Sequence, residues 1–500
     1  MHEQIYEMYV SLTRMEMKRK VLVIGSGVAG MSTAIRMQNS GCDVEIFEAN
    51  AYPGGKLSEI RLGDFRFDAG PSLFTMPQFV DELFALCGKN PRDYYSYKQK
   101  DVVCAYFFDD GTTFTAYANP KKYAETAEQT FDVSSKTVLN YFANAKKKYD
   151  LTAPLFLEKS LHKVSTYLSL NTLKAVAQIG ALGVFSTLNE HNQKYFKDIR
   201  LQQLFNRYAT YNGSSPFLTP GIMSMIPHLE QHFGTFAPKG GMISITNALH
   251  HLAVEIGVKF HFNKKVEKIV IEHSAARGVM IDGKLHRGDM VISNMDIVPT
   301  YRKLLKEQIA PEKTLKQERS SSALIFYWGI NRTFPELDLH NILFSGDYLK
   351  EFHQIFQEHQ IPEDPTVYIN IGSKDEPSDA PENSENWFVM INVPGNKNQD
   401  WDKLIPIARK SIVARINKAL QTNIEEYIVE ESILDPRTIE SKTQSYQGSL
   451  YGAASNNKFA AFIRHPNFSN SLQDLYFCGG SVHPGGGIPL ALLSGKITSD

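Results

Sequence analysis

Long apolar runs, clustered cysteines and a charge excess of either sign are all missing from this 500-residue sequence. No stretch reaches the roughly 20 apolar residues that a membrane-spanning helix needs. Cys42, Cys87, Cys104 and Cys478 stand too far apart in sequence for metal-site or Cys-x-x-Cys spacing, and a disulfide framework does not suit a chain of this length. A reducing, cytoplasmic setting is therefore expected. The formal net charge of −1 provides no global basic field, so no nucleic-acid partner is expected. Residues 1–16 lack the apolar core of a signal peptide and read as a disordered extension, with Met15 and Met17 as further candidate starts. No Ser-His-Asp triad, metal-ligand cluster, P-loop or internal repeat is visible.

What is present is an ordinary globular composition, 42% hydrophobic and 21% charged, on a chain long enough for two domains. Its sharpest local signal lies near the front. Val21–Ile24 is a short β-branched run suited to a buried parallel strand. Gly25-Ser26-Gly27-Val28-Ala29-Gly30 follows, and then a helical stripe of Met31, Ala34 and Ile35 stopped by Gly41. A second strand, Val44–Phe47, ends at Glu48 and Ala49. Strand, glycine turn, helix, strand and acid in this order form a dinucleotide cradle. Gly25 permits the tight turn, Gly27 a close approach of a pyrophosphate, and Gly30 close helix–strand packing. The helix N-terminus attracts phosphate, and Glu48 is placed to accept ribose hydroxyls. Gly54, Gly55 and Lys56 come next, with the lysine expected to reach back to the pyrophosphate, and then Asp68-Ala69-Gly70-Pro71-Ser72.

The first 75 or so residues resemble the glutathione-reductase-type FAD domain, in its amine-oxidase and carotenoid-desaturase branch. The far end adds a more specific likeness. A short strand, Leu475–Cys478, enters Gly479-Gly480-Ser481-Val482-His483-Pro484-Gly485-Gly486-Gly487-Ile488-Pro489, and an apolar helix follows in which Pro489 suits the first position. This loop resembles that of bacterial carotenoid desaturases of the phytoene-desaturase type. Its Gly480-Ser481-Val482-His483 variant leans toward the 1-hydroxycarotenoid 3,4-desaturases. The sequence stops at Asp500 inside that helix, so the resemblance implies further residues beyond it. Asn212–Pro216, Ile226–Glu230 and Phe236–Met242 match the same family's central segment. The resemblance also implies that Val266 offers its backbone to the adenine and that Asn294 enters the flavin region.

An α/β fold follows from the likeness: a discontinuous Rossmann FAD domain (17–100, 236–300 and 440–500) with a mixed α+β substrate domain (101–235 and 301–439). The polar run 373–383 reads as a solvated loop. Between 175 and 189 no charge appears, whereas Lys159, Lys163, Lys174, Lys194, Lys197 and Arg200 flank the stretch. A buried helix pair explains this, and so does a patch that dips into lipid. A water-insoluble carotenoid substrate favours the second reading, with the protein peripheral on the inner face of the membrane.

The implied chemistry is FAD-dependent desaturation of an acyclic carotenoid, C3–C4 desaturation of a 1-hydroxycarotenoid above all, with oxygen or a quinone as electron acceptor. Phytoene desaturation is the near alternative. A flavin amine oxidase and a binding protein like the GDP-dissociation inhibitors are the distant ones. His228, Glu230, His483 and Asp68 are the acid–base candidates, with a structural or flavin-packing role as the competing explanation for His228 and His483.

Overall fold

A computed structural model describes residues 18–157, 159–163, 166, 182–457 and 464–500. The expected extension at 1–16 and the 175–181 part of the apolar stretch lie outside these residues. The elements that carry the architecture are, in chain order, β1 (Lys20–Ile24), α1 (Val28–Asn39), β2 (Asp43–Phe47), β3 (Val102–Phe107), β4 (Thr113–Tyr117), α2 (Ile243–Glu255), β5 (Lys259–His261) and β6 (Met290–Ser293). They continue as β7 (Ser322–Ile330), β8 (His340–Leu343), β9 (Val367–Ile371), β10 (Glu385–Val393), α3 (Trp401–Leu420), β11 (Ile428–Leu434), β12 (Leu475–Phe477) and α4 (Ile488–Ser499).

The first sheet is parallel throughout, in the order β12-β6-β1-β2-β5. Its central strand β1 reads as an unbroken apolar run from Val21 to Ile24 because both faces are covered. Val21, Leu22 and Val23 have no exposed surface. On one side α1 and α2 bury Met31, Ala34, Ile35, Leu249 and Leu252 against Val21, Val23 and Ile46. Pro489 falls inside the first turn of α4 with Ile488 ahead of it and Gly487 as the cap, a position suited to a residue without an N–H.

The second sheet runs β11-β7-β10-β9-β8-β3-β4 and is antiparallel except where β8 meets β3. Side chains alternate between faces along each strand. Leu324, Phe326 and Trp328 of β7 join Ile369, Val389 and Ile391 under Trp401, Ile412 and Ile416 of α3. The intervening residues face the other way. There the register lines up Ile342, Tyr368, Met390, Ile325 and Leu434 as one row across five strands, and His340, Asn370, Phe388, Tyr327 and Ser432 as the next.

The 373–383 run is more than a solvated loop. Asp379 is buried and accepts from Arg66 Nη1 at 2.8 Å, while Arg66 Nη2 donates to Asp68 at 2.7 Å. Asp68 in turn accepts from the Met242 and Ile243 backbone N–H groups at 2.8 and 3.1 Å, capping the start of α2. Its carboxyl is pushed above the usual range by burial, against the pull of Arg66.

Phe326→Ala removes a fully buried ring between β7 and α3. It should cost about 3–5 kcal/mol, seen as a lower denaturant midpoint with an unchanged slope at fixed FAD concentration.

Candidate active site

A cavity of about 1180 Å³ runs from the glycine turn after β1 to the inward face of the second sheet. Pockets for one drug-sized ligand occupy ≈ 300–1,000 Å³, so this space admits a large cofactor together with a second molecule. At one end its wall is mostly backbone. Gly25, Gly27, Val28, Ala29, Glu48, Ala49, Gly54 and Gly55 line it, with Val266 opposite. Gly27 caps α1 without any side-chain bond, which leaves first-turn N–H groups for an outside acceptor. A Cβ on Gly27 would stand 2.6 Å from Asn294 Oδ1, and one on Gly30 would stand 2.3 Å from the Gly25 carbonyl oxygen. Gly30 itself does not line the cavity; its lack of a side chain serves helix–strand packing.

Glu48 is already engaged. Its Oε2 accepts from Ser26 N at 2.8 Å and Ser26 Oγ at 2.9 Å, and its Oε1 accepts from Asn50 N and Asn50 Nδ2, both at 2.9 Å. Four donors occupy the four lone-pair directions of a carboxylate. Ribose hydroxyls would pair here by displacing the two movable donors, Ser26 Oγ and Asn50 Nδ2, while the backbone donors keep the carboxylate in place.

Lys56 departs from the expectation that it reaches back to a pyrophosphate. Its Nζ donates to the carbonyls of Ser449 and Leu450, each at 3.0 Å. Burial pushes its pKa down to about 8, with Arg319 adding to the effect and Asp296 opposing it. Arg319 pairs with Asp296 and also donates to Ser449 Oγ at 3.1 Å. Arg464 donates to the carbonyls of Tyr451 at 2.8 Å and Gly480 at 3.2 Å, and burial pulls it down to about 10. Lys56, Arg464 and Asp296 thus line the cavity together, and Arg319, which is not part of the lining, pairs with that carboxylate. In a low-dielectric wall this favours an electron-rich ligand. Neither arginine carries a local sequence signal, since each is assembled from distant segments.

The remaining expected residues are brought together from both chain ends. Gly70, Pro71, Ser72, Asn294, Gly480, Ser481, Gly487, Ile488 and Pro489 all line the same cavity. Gly487 has a φ of 103°, and a Cβ built on it meets nothing within 4 Å. Ser481 Oγ is taken by the Ile297 N–H at 2.9 Å, so its side chain secures the loop.

The acid–base candidates are structurally committed. His228 is absent from the cavity wall; its ring stacks on His232 at 4.6 Å, and burial pushes its pKa down to about 4. His483 lines the cavity, but its Nε2 pairs with the Lys159 carbonyl at 2.8 Å, and burial lowers its pKa to about 4. Glu230 lines the cavity in a cluster with Tyr208, at 2.5 Å, with Tyr211 and with Arg207, at 3.3 Å. Arg207 Nε donates in turn to Tyr106 at 2.7 Å. That cluster is closed on itself.

The backbone-lined cradle, the open helix cap and the cationic centre fit FAD, and comparison with known proteins agrees. The signature of flavin-containing amine oxidoreductases matches residues 28–500. The chain belongs to this family. It is an oxidoreductase, and its cofactor is FAD. A 1-hydroxycarotenoid 3,4-desaturase from Flavobacterium sp. is 55% identical over 96% of this chain and 98% of its own length. A 4,4'-diapolycopene oxygenase from Methylomonas sp. is 31% identical over 96% of this chain and 97% of its own. Among solved structures, an oxidoreductase from Methanosarcina mazei superposes with a TM-score of 0.61 at 15% identity, covering 95% of this chain and 99% of its own. A putrescine oxidase superposes at 0.63 and 13% identity, covering 96% and 98%. These two show the shared fold.

Glu48→Arg places a cation where ribose hydroxyls seek an acceptor. FAD affinity should fall roughly tenfold or more, measured as flavin content after purification and by titration of the apoprotein. Full flavin occupancy would place the ribose elsewhere.

Proposed function

We propose that this chain desaturates an acyclic carotenoid bearing a hydroxyl at C1, at the C3–C4 bond beside that end. The observation that carries this reading is the continuity of one cavity from the FAD cradle to an apolar sheet face, Ile325, Ile342, Phe388, Met390 and Leu434. Such a floor suits a polyene and leaves a charged amine unpaired. The full-length likeness to a protein named for this activity supports the substrate class.

Bound FAD would supply a hydride acceptor. The protein's own residues would do the rest. Gly25–Ala29 and Glu48 would hold the nucleotide, the cavity-lining cations would favour electron-rich flavin, and the sheet face would exclude water and align the chain of the substrate. His228 is set aside as an acid or base, because it does not reach the cavity.

The reading extends to the membrane, where such a substrate resides, and to its inner face, with oxygen or a quinone collecting the electrons. Among the described residues no helix is long and apolar enough to cross a bilayer. Phe185 and Ile199, at 70% and 76% exposure, are large apolar side chains in a segment that also exposes Lys194 and Lys197, a combination that suits anionic lipid. Leu182 and Leu188, by contrast, are buried in the protein.

Two experiments test these proposals. With FAD-loaded enzyme, the 1-hydroxylated carotenoid should be desaturated roughly tenfold or more faster than its unhydroxylated parent. Equal rates, or stepwise desaturation of phytoene, would make the protein a phytoene desaturase. Phe185→Asp combined with Ile199→Asp should weaken cosedimentation with anionic liposomes several-fold and leave flavin content unchanged. Unchanged lipid binding would remove this segment from the membrane contact.

A further inference from the structure

A cavity that selects an oxygen-bearing substrate needs a polar group that the substrate completes. The Arg207–Glu230–Tyr211 cluster does not meet that need, because its members satisfy one another. His340 does. Among the described residues, several buried side-chain nitrogen and oxygen atoms have no partner, and of these His340 Nε2 is the one whose residue lines the cavity.

The contacts around His340 suit a hydrogen on Nε2. Asn370 Nδ2 donates to the Leu339 carbonyl at 3.0 Å, which identifies that atom as the amide nitrogen. The same nitrogen faces His340 Nδ1 at 3.2 Å, so Nδ1 accepts. Tyr368 hydroxyl stands 2.8 Å from Nδ1 and 2.8 Å from Ser72 Oγ, a chain that can run Ser72 to Tyr368 to Nδ1. With Nδ1 accepting, the hydrogen is on Nε2, as a donor without an acceptor. The ring is 3% exposed, and burial pushes its pKa down to about 4, so it is a neutral donor at working pH.

We propose that His340 Nε2–H donates to the terminal hydroxyl oxygen of the substrate and so decides which carbons meet the flavin. The proposal rests on the carotenoid reading above and deepens it. Its location agrees with the chemistry. C3–C4 lies two bonds along the chain from the hydroxyl-bearing C1, so the anchor must stand near the reacting bond and not at the remote end of the cavity. His340 is two hydrogen bonds from Ser72, in the 69–72 segment that lines the cavity, and Tyr327, in the same row of the sheet, donates to the Ala69 carbonyl at 2.6 Å. An unhydroxylated analogue would leave Nε2–H buried and unpaired, which is the condition for strong discrimination.

The test compares wild type, His340→Phe, His340→Gln and Tyr368→Phe, each loaded with FAD in lipid–detergent micelles, on the 1-hydroxylated carotenoid and its parent. In wild type, kcat/KM should favour the hydroxylated substrate. His340→Phe should lose that preference, falling about tenfold or more on the hydroxylated substrate while holding or gaining on the parent. His340→Gln retains an N–H donor and should keep part of the preference. Tyr368→Phe removes a partner of Nδ1 but spares Nε2, so it should keep the preference. The anchor is overturned if His340→Phe retains the wild-type ratio, if both substrates fall in parallel with lost flavin in His340→Phe and His340→Gln, or if wild type shows no preference. A wild-type enzyme that converts neither carotenoid overturns the functional reading itself.

Discussion

Asn294 ties together three strand ends that lie far apart in the sequence, and the active site depends on this junction. Its backbone N–H donates to the Ile24 carbonyl at 2.8 Å, extending the β6–β1 pairing, and its Nδ2 donates to the Cys478 carbonyl at 3.1 Å, past the end of β12. Its Oδ1 occupies the space that side chains would need at Gly27 and Gly30. The same closeness recurs where α4 crosses α1. A Cβ on Gly495 would lie 2.7 Å from Ser32 Oγ, and Ser32 Oγ donates to the Leu492 carbonyl at 3.2 Å. With both contacts in place, the 479–489 loop faces the 25–30 turn across one cavity. Residues more than 400 positions apart then serve a single cofactor.

The cavity's electrostatics change along its length. Lys56 and Arg464 line the cavity and are held by backbone carbonyls, Arg319 pairs with Asp296 beside them, and the protein gives up solvation to keep positive charge there. Toward the second sheet the polar groups are either closed into clusters or held neutral by burial. A charged wall suits the cofactor's electron-rich parts, and a dry, neutral wall suits a hydrocarbon. The boundary between the two falls at Ala69–Ser72, which Tyr327 and Tyr368 fasten to the sheet.

Much of the first sheet was legible because its signals are local. Val21–Ile24 and Val44–Phe47 fall within β1 and β2, and the glycine turn between them opens α1, since short apolar runs and glycines act over a few residues. What failed to show was long-range. Asp379 reads as part of a polar loop until Arg66 is seen beside it. Lys56 reads as a phosphate ligand until the 449–450 backbone arrives. His228 looked like a catalytic candidate until the distant Tyr149 is seen packed on its ring beside His232. His340 gave no signal at all, because its meaning comes from register: only the pairing of β8 with β9 sets it beside Tyr368 and Asn370.

The central claim is that one cavity brings a hydroxylated polyene against FAD so that hydrogen leaves the substrate directly for the flavin. Anaerobic mixing of FAD-loaded enzyme with one equivalent of 1-hydroxylated acyclic carotenoid tests it most directly. The account predicts that the yellow flavin absorbance is lost as the polyene spectrum moves to longer wavelength, with one flavin reduced for each double bond formed. A polyene shift while the flavin stays oxidised, or no shift in either spectrum, would contradict it.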